Sequence, residues 1–221
     1  VNHLLWDIDG TLVRNSSTPG IQYHLAVERA LGRSLENRVA ATHGHTDAYL
    51  VAATLAAHGL GNDYAAIVTG HLDDITREQH EAGQRRVAAP GVAAAVAGAA
   101  SAGWTNAILT GNGPLRSRLK VEGAGIDVEL FDWEHSYFGH QTPVRADITR
   151  RAAAELGASA VIVGDTPNDG AAAEAAGMGF IAVATGAYSA EELRQTSALA
   201  VLDDLESGLD EFLAVLARLA R

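Results

Sequence analysis

A chain of 221 residues, 48% hydrophobic and 19% charged, can bury a substantial core, and its composition excludes general disorder. The 16 basic and 27 acidic residues leave a net charge of -11, which argues against wrapping nucleic acid or anionic lipid, because both need Lys and Arg. No cysteine is present, so disulfides, thiolate-bound metals and thiol catalysis are excluded.

No uninterrupted apolar run is long enough for a membrane span, and acids as early as Asp7 and Asp9 are unlike a signal peptide. The expectation is a cytoplasmic protein, monomeric or homodimeric. Five short apolar segments predict strands: His3–Trp6, Asn106–Leu109, Val128–Phe131, Ala160–Val163 and Phe180–Val183. Helical patterns lie between most of them, at Gly91–Gly103, Pro114–Gly125, Val144–Gly157 and Pro167–Gly177. Several open at Pro and close at Gly. This alternation implies a doubly wound α/β core with a parallel sheet. From Asn15 to Ala89 the alternation stops. That stretch reads as helices over Gly20–Leu31, Asp47–His58 and Asp63–Arg86, with a further piece near Ser34–Ala41. The predicted organisation is a core of residues 1–14 and 90–221, with a helical insert of residues 15–89.

Polar clusters follow the strands, where open parallel sheets bind their ligands. After the first comes Asp7-Ile-Asp9-Gly-Thr-Leu, whose two carboxylates at i, i+2 share one side of an extended segment. Carboxylates so close on an apolar strand call for a shared cation or proton. After the second comes Thr110-Gly111-Asn112-Gly-Pro114, which offers a hydroxyl and backbone N–H groups to an anion. An ordinary loop with Asn112 as a helix cap is the alternative. After the fourth comes Gly164-Asp165-Thr166-Pro-Asn-Asp169. Here Thr166 and Asp169 also fit a capping box, which leaves Asp165 unexplained. Phosphate chemistry beside these acids needs a basic residue, and two candidates stand open: Arg145 and Lys120.

In this order the motifs resemble those of the haloacid dehalogenase (HAD) superfamily of phosphatases. Asp7-Ile-Asp9-Gly-Thr-Leu matches its first motif, Thr110-Gly-Asn its second and Gly164-Asp-Thr-Pro-Asn-Asp169 its fourth. The insert is similar to the family's small helical cap. The third motif departs: many relatives carry Lys-Pro before the last helix, whereas this chain has Gln141-Thr-Pro-Val-Arg145.

The resemblance implies a phosphomonoester hydrolase, of the phosphoglycolate phosphatase type, acting on a small phosphorylated metabolite. Asp7 would be the nucleophile and Asp9 the acid and base. Mg²⁺ would be held by Asp7, Asp9 through its carbonyl, and Asp165, with Asp169 in support. Thr110, Gly111 and Asn112, with Arg145 or Lys120, would hold the phosphate. Thr46 and Asp47 in Thr42-His-Gly-His-Thr-Asp47 would face the substrate from the cap, or Thr46 would simply cap the next helix. His43 and His45 lack further ligands for a zinc site. A sugar phosphomutase and a non-catalytic metabolite-binding protein are the alternatives. Dehalogenase chemistry needs neither Asp9 nor a metal and does not account for the acidic set.

Overall fold

The structure is a computed structural model describing residues 2–18, 20–36, 44–157 and 159–220. Six parallel strands form one sheet in the order β3-β2-β1-β4-β5-β6. They are β1 (Asn2–Trp6), β2 (Trp104–Thr110), β3 (Asp132–Phe138), β4 (Val161–Gly164), β5 (Gly179–Val183) and β6 (Ala200–Leu202). Their side chains alternate between two buried faces, as strands covered on both sides must. Leu4, Trp6 and Val163 enter one apolar cluster, and Leu5, Ile162 and Phe180 enter the other. The polar atoms inside are paired: Trp6 Nε1 donates to Asn106 Oδ1 (2.9 Å), and Asn106 Nδ2 donates to the Val96 carbonyl (3.0 Å).

Four crossover helices lie at the expected places: α4 (Val92–Ser101), α5 (Pro114–Gly123), α6 (Arg145–Leu156) and α7 (Pro167–Ala176). Before them come α1 (Ile21–Leu31), α2 (Asp47–Ala57) and α3 (Ala65–Glu81), which share their own apolar cluster around Leu55, Val68 and Leu72. The helical piece expected near Ser34–Ala41 falls mostly outside the described residues. No described helix is long and apolar enough to cross a membrane.

Two departures have physical causes. The apolar run Val128–Phe131 is not a strand. Residues Val128–Leu130 form a 3₁₀ turn capped by the Asp127 carboxylate, which accepts from Glu129 N (3.0 Å). Val128 and Phe131 pack into the core from there. The strand follows immediately, as the polar Asp132–Phe138. An edge strand is half solvated and does not need an apolar sequence. The other departure is the C-terminal end, where β6, α8 (Ala190–Leu193) and α9 (Leu209–Leu219) complete the core. β6 is only three residues long, too short for periodicity to reveal. Phe212 of α9 packs on Trp6 with ring centroids 5.6 Å apart.

The chain moves outward from β1 through β2 to β3, then returns to β4 on the other side of β1. Crevices form at such a reversal, beyond the carboxyl ends of the strands. The loops after β1, β2 and β4 therefore meet there.

Gly91 starts α4 at φ +76, and a Cβ there would lie 2.1 Å from Glu206 N and 2.4 Å from the Leu205 carbonyl oxygen. Gly91→Ala is expected to destabilise the fold by about 2 kcal/mol or more, measured by urea denaturation. An unchanged midpoint would show that the α4 start and the Leu205 loop can part freely.

Candidate active site

The loop after β1 is shaped by hydrogen bonds. Asp7 N continues the ladder to the Val163 carbonyl (2.9 Å), and the Ile8 carbonyl then accepts from Leu12 N (3.0 Å) and Val13 N (2.9 Å). Gly10, at φ +88, lets the chain pass over Asp165: a Cβ there would sit 2.2 Å from Asp165 Oδ2. Gly186 walls the same carboxylate more tightly, with a Cβ position 1.6 Å from Oδ2. Thr11 Oγ1 donates to Asp165 Oδ1 (3.1 Å), while Oδ2 is buried with no protein partner.

Asp7, Asp165 and Asp169 are all buried, and their carboxylate oxygens lie within 4.8 Å of one another. One guanidinium serves them: Arg145 Nη2 is 2.6 Å from Asp169 Oδ1 and 3.3 Å from Asp7 Oδ1. The other Asp169 oxygen closes the capping box of α7, accepting from Thr166 N (3.0 Å) and Thr166 Oγ1 (2.8 Å). Asp169 thus orients Arg145 and anchors α7, and its two oxygens are already engaged.

One cation among three carboxylates leaves excess negative charge. Burial, reinforced by Asp169 and Asp9 against the pull of Arg145, pushes the Asp7 carboxyl up to about 6. Asp165 is raised well above the usual carboxylate range by burial and by its two acidic neighbours. Repulsion between oxygen ligands, an unpartnered Asp165 oxygen and the glycine walls that hold it fit a hard divalent cation between Asp7 and Asp165.

Asp9 is in the opposite state. Lys120 Nζ lies 2.5 Å from Asp9 Oδ2, and Asn112 Nδ2 donates to the same oxygen (2.8 Å). Burial alone would raise this carboxyl; Lys120 and Asn112 outweigh it and hold it well below the usual range. Lys120 also donates to Asn112 Oδ1 (2.8 Å), and Asn112 Nδ2 reaches Thr110 Oγ1 (3.0 Å). Both candidate bases therefore line one cavity, Arg145 on the Asp7 side and Lys120 on Asp9.

Thr46 does not reach that cavity. It is fully buried and caps α2, accepting from Tyr49 N (3.1 Å). Asp47 borders the cavity, but Arg116 Nη1 (2.5 Å), Tyr23 Oη (2.6 Å) and Gly113 N (2.8 Å) occupy its carboxylate. The remaining N–H groups of the first turn of α2 find core carbonyls: Asp47 N donates to Gly111 O (2.7 Å) and Ala48 N to Gly139 O (3.2 Å). Gly111 has no room for a Cβ, which would lie 2.4 Å from the His45 carbonyl oxygen. Thr46 thus follows the capping alternative, and Asp47, at the edge of the cavity, latches the three-helix unit to the core. Arg116 is the residue that sequence reading missed. Its only signal was a basic residue two positions after Pro114, which any solvated helix can carry. Thr42 and His43 lie outside the described residues, and His45 stacks on Tyr49 (4.3 Å). A separate grouping of His3, Asp132 and His135 lies towards the other end of the strands, with His135 Nδ1 2.7 Å from Asp132 Oδ2.

The family model for haloacid dehalogenase-like hydrolases matches residues 4–174, which include every residue of the cavity named above. The chain belongs to this family. A second model, HAD-hydrolase-like, matches residues 145–207. The hydrolase is 31% identical over 92% of its length to a phosphoglycolate phosphatase of Rhodospirillum rubrum, of which 88% is covered. Among solved structures it resembles a predicted phosphatase from Clostridium acetobutylicum (TM-score 0.71, 16% identity, 96% of this chain and 98% of that one). It also resembles a putative beta-phosphoglucomutase from Bacteroides vulgatus (TM-score 0.67, 20% identity, 99% and 90%). The enzyme is a hydrolase of the phosphatase type.

Arg116→Met would leave the buried Asp47 carboxylate without its cation. A loss of about 3–5 kcal/mol is expected in denaturant unfolding, with part recovered by adding Asp47→Leu. Equal stability of wild type and Arg116→Met would remove the latch from the account.

Proposed function

We propose that this hydrolase is a Mg²⁺-dependent phosphomonoester phosphatase for a small phosphorylated metabolite of the phosphoglycolate type, working through an aspartyl-phosphate on Asp7. The observation that carries this reading is the contrast between Asp7 and Asp9. Two carboxylates two residues apart share one cavity in different surroundings: Asp7 sits with Asp165, Asp169 and Arg145, where a divalent cation would hold it ionised as a nucleophile, and Asp9 sits with Lys120 and Asn112, whose pull a bound phosphate would weaken so that it can take up a proton.

An Asp7 carboxylate oxygen attacks phosphorus, and the bond from phosphorus to the leaving oxygen breaks. The leaving alkoxide takes a proton from Asp9. Water then attacks the aspartyl-phosphate, gives its proton to Asp9, and restores the Asp7 carboxylate with release of phosphate. Asp7, Asp165 and the Asp9 carbonyl would hold Mg²⁺, which when bound neutralises charge between the nucleophile and the phosphate dianion. Arg145 orients Asp7 and offsets charge on the transferring group. The Thr110 hydroxyl and the Gly111 and Asn112 N–H groups receive the phosphoryl oxygens.

Lys120 gives Asp9 its two states. Alone with Lys120, Asp9 is firmly ionised. A bound phosphate shares the ammonium and adds negative charge beside Asp9, which raises its proton affinity. The helices of residues 15–89 act as the lid, excluding water and bounding a cavity of about 230 Å³. That volume is below the roughly 300–1,000 Å³ of drug-sized pockets and suits a substrate of few atoms beyond its phosphate.

Wild type is expected to release phosphate from an aryl phosphate with Mg²⁺, and Asp7→Asn to abolish it. Asp9→Asn should slow kcat by about 10²–10⁴-fold. No turnover over a broad phosphoester panel would end the reading. Comparing Lys120→Ala with Arg145→Ala separates the two bases: the former should shift the pH profile of kcat, the latter should lower kcat at every pH.

Stability gives an independent readout. A carboxyl raised in the folded state contributes stability below its unfolded value of 3.8, and this is lost as pH rises through about 6. Asp7 and Asp165 would hold Mg²⁺ in place of that proton. The rise in Tm on adding Mg²⁺ should be larger at about pH 7.5 than at about pH 5. An equal rise at both would show that the ion binds elsewhere.

A further inference from the structure

Five basic residues border the cavity, and four have defined partners. Arg145 pairs with Asp7 and Asp169, Lys120 with Asp9, and Arg116 with Asp47. Arg85 spends its guanidinium on the His80 carbonyl (2.9 Å) and the Gln84 carbonyl (3.4 Å). Arg86 is the fifth. Among the described residues its side chain makes no ion pair and no hydrogen bond. The cavity thus has two unmatched charges. Asp165, at the strand ends, wants a cation, and Arg86, on another wall, wants an anion.

Three facts make Arg86 more than a stray surface charge. It is only partly exposed and lines the cavity, so its charge is not that of a fully hydrated surface residue. Its backbone is pinned to the core: Arg86 N donates to the Gly123 carbonyl (3.2 Å), Arg14 N to Val87 O (2.8 Å) and Ala89 N to Leu12 O (2.9 Å). Movement of the helical unit therefore leaves this strap in place. Third, Arg86 lines the same cavity as Asp9 and Lys120, and its backbone is tied to Gly123 at the end of α5, the helix that carries Lys120, the partner of Asp9. A group protonated by Asp9 leaves from the Asp9 side, so the body of the leaving group extends towards Arg86.

Resting on the phosphatase reading, we propose that Arg86 is a specificity residue that recognises a second anionic group, a carboxylate or a further phosphate, on the leaving group. The preferred substrates are small phosphomonoesters carrying a negative charge a few bonds from the ester oxygen. Gln22 and Gln79 border the same cavity and donate or accept beside it, with Gln22 Nε2 2.5 Å from Gln79 Oε1. A guanidinium pairs with a carboxylate or phosphate through charge-assisted bonds, and a neutral hydroxyl or alkyl group cannot replace that pairing.

The test compares 2-phosphoglycolate with ethyl phosphate, which differ by one carboxylate. Wild type should favour the former by about tenfold or more in kcat/KM. Arg86→Gln should collapse that ratio towards one, mainly through KM, and Arg86→Lys should keep part of it. Equal kcat/KM for the two esters in wild type, or a ratio unchanged in Arg86→Gln, overturns the proposal while leaving the phosphatase reading intact. Binding of phosphonoacetate and ethylphosphonate, measured calorimetrically with Mg²⁺, separates the two claims in the other direction. Tighter phosphonoacetate binding that Arg86→Gln abolishes supports the subsite even if neither ester turns over, an outcome that defeats only the phosphatase reading. Equal binding of both phosphonates in wild type overturns the subsite.

Discussion

Three carboxylates buried around a single guanidinium impose the constraint on which the rest of this molecule depends. Asp7, Asp165 and Asp169 cannot all be ionised next to Arg145 alone without strong repulsion. The surrounding backbone holds them there. Gly10 and Gly186 wall in Asp165, and Gly164 leaves room for Asp169, whose Cγ would lie 2.6 Å from a Cβ at that position. The sheet supplies the rigidity. Asp7 and Asp165 leave the adjacent strands β1 and β4, at the point where strand order reverses. A site strained by its own charge has a high affinity for whatever relieves it, a proton or a cation, and this couples the chemistry to the fold.

The same logic of unsatisfied groups joins the helical unit to the core. A helix exposes N–H groups at its first turn, and α2 satisfies two of its own on the Gly111 and Gly139 carbonyls of the loops after β2 and β3. The Asp47 carboxylate faces the start of α5 and accepts from Gly113 N, Tyr23 and Arg116. Gly111 serves two neighbours at once: its carbonyl holds α2, and its lack of a Cβ lets the His45 backbone approach. The loop proposed to receive the phosphate is therefore also the loop on which the helical unit rests.

Much of the architecture is readable from local pattern. Four of the five expected strands and all four crossover helices lie where apolar runs, prolines and glycines mark them. The exception, Val128–Phe131, shows the limit of that signal. An apolar run records burial, and here burial is achieved by a 3₁₀ turn, while the polar Asp132–Phe138 pairs as the edge strand. β6 escaped because three residues carry no period, whereas α9 is legible, its buried Phe212, Val215 and Leu216 recurring at helical spacing.

What the sequence by itself determined is the set of chemical groups and their order: Asp7 and Asp9 after one strand, Thr110 to Asn112 after the next, Asp165 to Asp169 after a later one. Backbone periodicity and helix capping are local, so the positions of these groups at strand ends follow from neighbours within a few residues. Which charge meets which was decided only in three dimensions. Lys120 reaches Asp9 across 111 residues of chain, Arg145 takes Asp7 and Asp169, and Asp47, at the edge of the cavity, is held by Arg116. Arg86 becomes conspicuous only once its neighbours are seen to be paired. The pairing of ions depends on distances of a few ångströms between remote side chains, and no spacing along the chain encodes those distances directly.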